Sequence, residues 1–421
     1  MQARALRAAE ESVGAADEPP LDSLARLASP TPMSRNRSSK GFGLLRLALI
    51  VGAVGGFAAA YRFALKYRKR VGLPRRSPVE TTPAAFGLAY EAVSIPAGDH
   101  ELSGWWVPAG GGGHKPRRRK AAAVDADSGG GAAEVVATAP EPAAPKLEPR
   151  PAIAVVHGWE SNKGRTFAHV RYLHAAGFHC LVFDVRGHGD SPEETLPVNV
   201  PEFAEDTTAA ARWLAARPDV SGVGVLGHSM GAAGAIVAAA NEPEIGAVVS
   251  ISSPSDIVRM TRKTFEMAEM RIPAPIAAPL AWFTAAVLLI PRRHSVQEAS
   301  ATAAAGRYAG PILLIHGAQD NGVPVEHLEI IGRAAAANRV DGDHPVETLV
   351  LADFGHRWLY EAEAFRRRVS VFFARSLGGP VSPEEAGDLA AACVVERPAD
   401  PVYGFGAMAG KTPAERIIEA D

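Results

Sequence analysis

Val223-Gly224-Val225-Leu226-Gly227-His228-Ser229-Met230-Gly231 decides how this chain is read. A short apolar run enters a Gly-x-Ser-x-Gly turn, and small residues from Ala232 to Ala240 continue it as a helix pattern. Strand, tight turn and helix together are the context in which such a turn pushes a serine hydroxyl outward as a nucleophile. The glycines tolerate the strained turn and keep side chains out of its way. The helix start adds an N–H group and a favourable dipole beside a developing oxyanion. A bare Gly-x-Ser-x-Gly also fits a glycine-rich turn with an N-capping serine. The flanking strand and helix favour the nucleophile.

Working outward from Pro151, strands and helices alternate. Ile153–Val156, Cys180–Phe183, Val223–Leu226, Ala247–Ile251, Ile312–Ile315 and Glu347–Leu351 are short apolar runs. Between them lie the helical patterns Arg165–Ala176, Phe203–Ala216, Met230–Asn241, Val325–Ala337 and Arg357–Arg375. Continuous apolar strands separated by helices predict an α/β fold, a mostly parallel sheet covered on both faces. Leu88–Ile95 and Leu102–Val107 add two strands before it. Three strand ends carry further candidates. His157-Gly158-Trp159-Glu160 follows an early strand and offers a second oxyanion N–H from Trp159, beside that of Met230. Asp320 ends the stretch from Ile312, and His356 in Phe354-Gly355-His356 follows the last strand. The order Ser229, Asp320, His356 is the one expected when a parallel sheet delivers all three from its C-terminal edge.

These segments, HGWE (157–160), DVRGHGDS (184–191), GHSMG (227–231), IHGAQDNGVP (315–324) and FGH (354–356), resemble the α/β-hydrolase superfamily, in particular its serine aminopeptidase and monoglyceride-lipase-like branch. The resemblance covers roughly Leu88 to Leu377. It implies an α/β-hydrolase fold with a small helical cap, and hydrolysis of an ester, amide or thioester through an acyl-enzyme. The combination with an apolar N-terminal helix is similar to membrane-anchored bacterial hydrolases.

The rest of the 421 residues bounds the function. Apolar residues make up 47% and charged residues 21%, which supports a large core. Lys plus Arg (44) nearly balances Asp plus Glu (46), so no whole-chain charge points to nucleic acid. Cys180 and Cys393 cannot form a disulfide framework. The 13 histidines show no metal-ligand spacing with Cys, Asp or Glu, and no Gly-x-x-x-x-Gly-Lys-Ser/Thr loop is present. No metal and no cofactor are expected. Residues 1–40 read as a disordered tail, which Met33 would shorten if it is the true start. Residues 41–66 read as a transmembrane helix: the 22 residues Leu44–Leu65 carry only Arg46 and Arg62 as charges. A cleaved signal peptide ending near Ala58-Ala59-Ala60 and a buried soluble helix are the rivals. The basic juxtamembrane linker 67–87 argues for retention, and its cations for a cytoplasmic C-terminal side. The α/β-hydrolase domain is placed at 88–378, with 109–150 a flexible Gly/Pro-rich insertion and 255–307 the cap; 379–421 is an accessory tail.

Within the cap, Ile276–Ile290 runs 15 residues without a charge. It reads as a helix lining an acyl pocket, as a membrane-resting lid, or as core packing; the first is favoured. The expected substrate is a small-molecule acyl ester or a lipid-like one, with a serine aminopeptidase-like peptidase or a non-catalytic binding scaffold as alternatives. For peptides, Glu266, Glu269 or Asp256 would have to bind a free amine. His344 and Asp353 are rivals for His356 and Asp320, while His157, His228 and His316 are expected to shape the site and Asp184, Arg186 and His188 to hold a turn.

Overall fold

A computed structural model describes residues 38–110, 149–337, 339 and 344–395, with side chains from residue 45. The tail up to residue 37, Met33 included, the insertion between 111 and 148, and the chain beyond 395 lie outside the described residues. The chain divides into Met1–Gly56 and Phe57–Asp421. The described part of the first unit is the beginning of α1 (Ser38–Val71); the second unit holds everything else.

In chain order the second unit continues with β1 (Glu91–Ala97), β2 (His100–Val107), β3 (Arg150–Val156), α2 (Phe167–Ala175), β4 (His179–Phe183), α3 (Val200–Ala215), β5 (Val220–His228), α4 (Met230–Ala239) and β6 (Ile245–Ile251). Then come α5 (Ile257–Met267), α6 (Ala274–Leu289), α7 (Ala301–Ala305), β7 (Ile312–Gly317), α8 (Glu326–Ala337), β8 (Val346–Leu351), α9 (Glu363–Leu377) and α10 (Pro383–Ala392). The eight strands form one sheet in the order β1-β2-β4-β3-β5-β6-β7-β8. The β1–β2 and β2–β4 pairings are antiparallel; all others are parallel.

Side-chain alternation explains why the inner strands are apolar throughout. Ala152, Ala154 and Val156 of β3 join Val225, Leu314 and residues of α3, α4 and α8 in one core layer. Ile153 and Val155 join Val249, Leu313 and residues of α2, α9 and α10 in the other. The residues of β3 thus meet a helix layer on one side of the sheet or the other.

Three elements differ from the sequence expectation. Helix α1 runs to Val71, so part of the stretch read as a linker is helical and docked: Phe63 and Tyr67 pack on Phe265 of α5 at 5.6 and 5.9 Å between ring centres, and Ala64 is fully buried. The stripe Phe63, Ala64, Tyr67 is hidden in composition by the cations between and after it. Arg76 then ties the same stretch to the body by donating to the carbonyls of Gly189 and Ser191. Helix α9 starts at Glu363, not Arg357, because a 3₁₀ turn at Leu359–Glu361, entered through Trp358 at φ 67°, intervenes. Helix α10 lies where a weakly patterned tail was read. Ser382 caps it by accepting from the Glu385 N–H, and it buries small residues, Ala386 and Ala390, which leave no strong apolar period.

Candidate active site

Parallel strands share a direction, so the ends of β3, β5, β7 and β8 open on one rim of the sheet. Ser229 directly follows β5 at φ 56° and ψ −120°, a backbone conformation that costs a non-glycine residue roughly 1–3 kcal/mol. Its N–H is fixed by the Ile251 carbonyl at 2.8 Å, and its own carbonyl accepts the first bonds of α4 from Ala232 and Ala233. The turn works only at close quarters. A Cβ on Gly231 would lie 2.3 Å from the His157 carbonyl oxygen, so glycine is needed for α4 to start against the end of β3.

His356 Nε2 stands 3.0 Å from Ser229 Oγ, and His356 Nδ1 donates to Asp320 Oδ2 at 2.6 Å. Asp320 is wholly buried, while the His356 side chain is 14% exposed and reaches solvent. The second oxygen of Asp320 accepts from the Gly322 and Val323 N–H groups at 3.0 and 2.8 Å. Burial alone would raise this carboxyl. Hydrogen bonds from His316 and His356 and the Val323 N–H outweigh it and hold Asp320 well below the usual carboxylate range. The loops carrying Asp320 and His356 are stitched together, with the Gln319 N–H on the Phe354 carbonyl and the Ala318 N–H on that of Leu351, both at 2.9 Å. Gly317 allows that approach, since a Cβ there would meet the Phe354 and Gly355 oxygens at 2.3 Å.

The structure therefore brings Ser229, Asp320 and His356 into one hydrogen-bonded line. The N–H groups of Trp159 and Met230, the oxyanion candidates, donate to no acceptor among the described residues. Gly158, next to Trp159, lies so close to the elbow that a Cβ on it would be 3.2 Å from Ser229 Cβ. The rivals fall elsewhere: Asp353 and His344 are exposed, and the His344 carbonyl takes a bond from Arg339.

The serine aminopeptidase S33 family profile matches residues 147–288. The Pyrococcus furiosus esterase superposes with a TM-score of 0.51 at 22% identity, over 73% of this chain and 98% of the esterase. This chain has the α/β-hydrolase fold. Two uncharacterised proteins from Mycobacterium tuberculosis strains are each 26% identical to this chain over 208 residues, 49% of it and 63% of their own length. The match thus spans less than two thirds of those curated relatives.

His157, His316 and His188 serve as struts. His157 Nδ1 donates to the Gly158 carbonyl at 2.8 Å, and its Nε2 accepts from the Val185 N–H at 3.0 Å, so the ring is neutral; burial pushes it down to about 4. His316 Nε2 donates to the Val323 carbonyl at 2.7 Å and faces Asp320 at 3.4 Å. His188 donates from Nδ1 to the Arg186 carbonyl, and burial pushes it to about 3. Asp184 and Arg186 do not pair with each other inside their turn; each takes a partner from outside it. Arg186 grips Asp206 of α3, and Asp184 is bound by Lys163, a buried lysine that sequence reasoning missed. Lys163 sits among turn residues with no local signature, and only its contact with Asp184 across the sheet rim reveals it. Among the described residues no group of three or more His, Cys, Asp or Glu could hold a metal ion.

Proposed function

We propose that this α/β-hydrolase is a serine hydrolase, held at a membrane by α1, that cleaves carboxylic esters with lipid-like acyl groups. The observation that carries this reading is the line from Ser229 through His356 to Asp320 at 3.0 and 2.6 Å. A serine hydroxyl is a poor nucleophile at neutral pH, so its proton must pass to His356 Nε2 as Oγ attacks the ester carbon. Asp320, ionised and buried, holds the Nδ1–H tautomer and stabilises the imidazolium without taking its proton. The N–H groups of Trp159 and Met230 receive the negative oxygen of the tetrahedral intermediate. As the C–O bond breaks, His356 returns the proton to the departing alkoxide. Water then attacks the acyl-Ser229 ester by the same route and releases the acid.

The membrane part rests on α1, whose stretch Leu45–Val71 is long and apolar enough to cross a bilayer, ends in Arg68, Lys69 and Arg70, and is followed by Arg75 and Arg76. That charge supports a cytoplasmic catalytic unit.

The S33 family profile favours a second reading, a peptidase using the same residues. Two of its candidate amine anchors are already engaged: Asp256 caps α5 by accepting from the Arg259 N–H at 2.8 Å, and Glu266 pairs with Arg262 at 3.3 Å. A panel of p-nitrophenyl esters and aminoacyl amides on the full chain in detergent separates the readings. Ester cleavage should peak at acyl chains longer than acetyl, and fluorophosphonate labelling should vanish in Ser229→Ala. Faster amide than ester turnover would select the peptidase. Undiminished labelling of Ser229→Ala would remove the serine mechanism.

A further inference from the structure

Helix α6 is almost wholly apolar, and most of its first half is exposed. From Ile272 to Pro291 there is no charged side chain. The second half is anchored, with Ala281, Thr284, Ala285, Val287, Leu288 and Leu289 buried. In the first half only Ala277, Leu280 and Ala281, all on one side, are turned to the protein. Ala274, Pro275, Ile276, Ala278 and Pro279 are exposed and span roughly 200° of the helix circumference. Trp282 and Ile290 continue the apolar surface at 55% and 58% exposure, alongside Ile276 at 53%. A helix at the surface of a water-soluble protein turns polar residues outward, and this one does the reverse.

Its backbone suits an apolar medium as well. The first four N–H groups of a helix are normally free, which is costly in hydrocarbon. Here Pro275 has none, and those of Ile276 and Ala277 both donate to the Pro273 carbonyl at 2.9 and 3.1 Å.

The neighbouring helix identifies the medium. Phe57 and Tyr61 of α1 pack on Phe283 at 5.6 and 6.5 Å between ring centres, and the Arg68 guanidinium donates to the Val287 carbonyl at 3.3 Å. Over Phe57–Arg68 the two helices therefore run in the same sense, and the bare end of α6 lies toward the Phe57 end of that contact. Phe57 and Tyr61 are themselves exposed, and Arg62, Lys66 and Lys69 follow as exposed cations. Aromatic rings succeeded by cations match the boundary between acyl chains and anionic headgroups. Arg271, exposed just ahead of α6, has a stem long enough to reach headgroup phosphates from that boundary.

We propose that the free half of α6, together with Phe57 and Tyr61, is a seating surface that rests in the headgroup–acyl boundary of an anionic bilayer, so that the cap is a membrane-contacting element in its own right. This rests on the anchor assigned to α1 under the proposed function, and the test separates the two.

The test uses the full chain in vesicles of phosphatidylcholine and phosphatidylglycerol, on a Cys393→Ser background that leaves only the buried Cys180. A bimane label is placed at Ile276→Cys, with Glu384→Cys as an exposed reference and Val51→Cys as the reference in α1. The Ile276 label should be quenched by a lipid-borne nitroxide, and at least about fivefold less by aqueous iodide than the Glu384 label, as expected for a side chain 5–10 Å into the interface. Equal iodide quenching at Ile276 and Glu384 overturns the proposal. So does shielding from iodide without lipid quenching, which would mean that a second copy of the chain covers the face. Lipid quenching at Val51 but not Ile276 removes this inference alone, whereas its absence at Val51 removes the α1 anchor.

Discussion

His228 and His356 are bound to each other through ring and backbone: His228 Nε2 donates to the His356 main-chain carbonyl at 2.8 Å, with the two rings 4.9 Å apart. Burial pushes His228 down to about 3, with the nearby His356 ring adding to the shift, so it remains a neutral donor at working pH. The residue beside the proposed nucleophile thus fixes the loop that carries the proposed base. His228→Ala should lower kcat by about tenfold to a hundredfold, the range a displaced catalytic group produces, with KM little changed. His228→Gln, which keeps a donor, should recover part of the loss. Steady-state kinetics on an activated ester check it; a pure KM effect would mean that His228 contacts substrate instead.

Asp320→Asn separates orientation from packing. Asparagine can still accept from Gly322 and Val323, so the loop should hold, but it cannot stabilise the imidazolium and favours the wrong His356 tautomer. The expected outcome is a fall in kcat of about 10³- to 10⁴-fold with an unchanged circular dichroism spectrum. A loss below tenfold would show that another acid serves His356.

The parts of the site legible in sequence were those whose chemistry and turn geometry sit together in a few residues. Ser229 lies in a glycine-framed turn, and Asp320 and His356 each follow an apolar strand. The sheet was legible for the same reason, since strands buried on both faces are apolar at every position. What stayed hidden depends on partners distant in the chain. Lys163 and Asp184, 21 residues apart, meet only after β3 and β4 pair, and the docking of Phe63 and Tyr67 on Phe265 needs α5 in place. The insertion from 111 to 148, read as flexible, lies outside the described residues.

Lys163 supplies a stability test. Its ammonium lies 2.5 Å from Asp184 and 2.7 Å from Asp190, 4.8 Å above the Trp105 ring, and its side chain is 1% exposed. Burial raises the Asp184 carboxyl despite this partner, so removing the partner leaves a strongly disfavoured charge. Lys163→Met should destabilise the fold by about 3–5 kcal/mol, the cost of breaking a buried pair from one side. The double variant Lys163→Met, Asp184→Asn should recover part of it. Denaturant melts of the three proteins decide; equal stability of the single variant and wild type would mean that water enters to solvate Asp184.

Acid should unfold this protein through histidines before carboxylates. His157 is pushed to about 4, and His169, His188 and His228 to about 3, all by burial. In an unfolded chain each would titrate near 6.5. Above that value neither state is protonated and these four contribute no pH dependence. Between about pH 6.5 and 4 the unfolded chain takes up protons that the folded chain refuses, so stability falls as pH falls, by about 1.4 kcal/mol per unit for each histidine. His100 and His294, raised by Asp206 and Glu202 respectively, act in the opposite sense: their stabilisation is complete below about 6.5 and fades as pH rises. Their change therefore falls above that window, and burial also lowers His174, His179 and His327, so the net slope between about pH 4 and 6.5 should be positive. Denaturation midpoints measured across that window should rise with pH, and His169→Phe should flatten the rise by about one histidine's share. A flat profile, or one that falls with increasing pH, would mean that these rings are protonated in the folded protein.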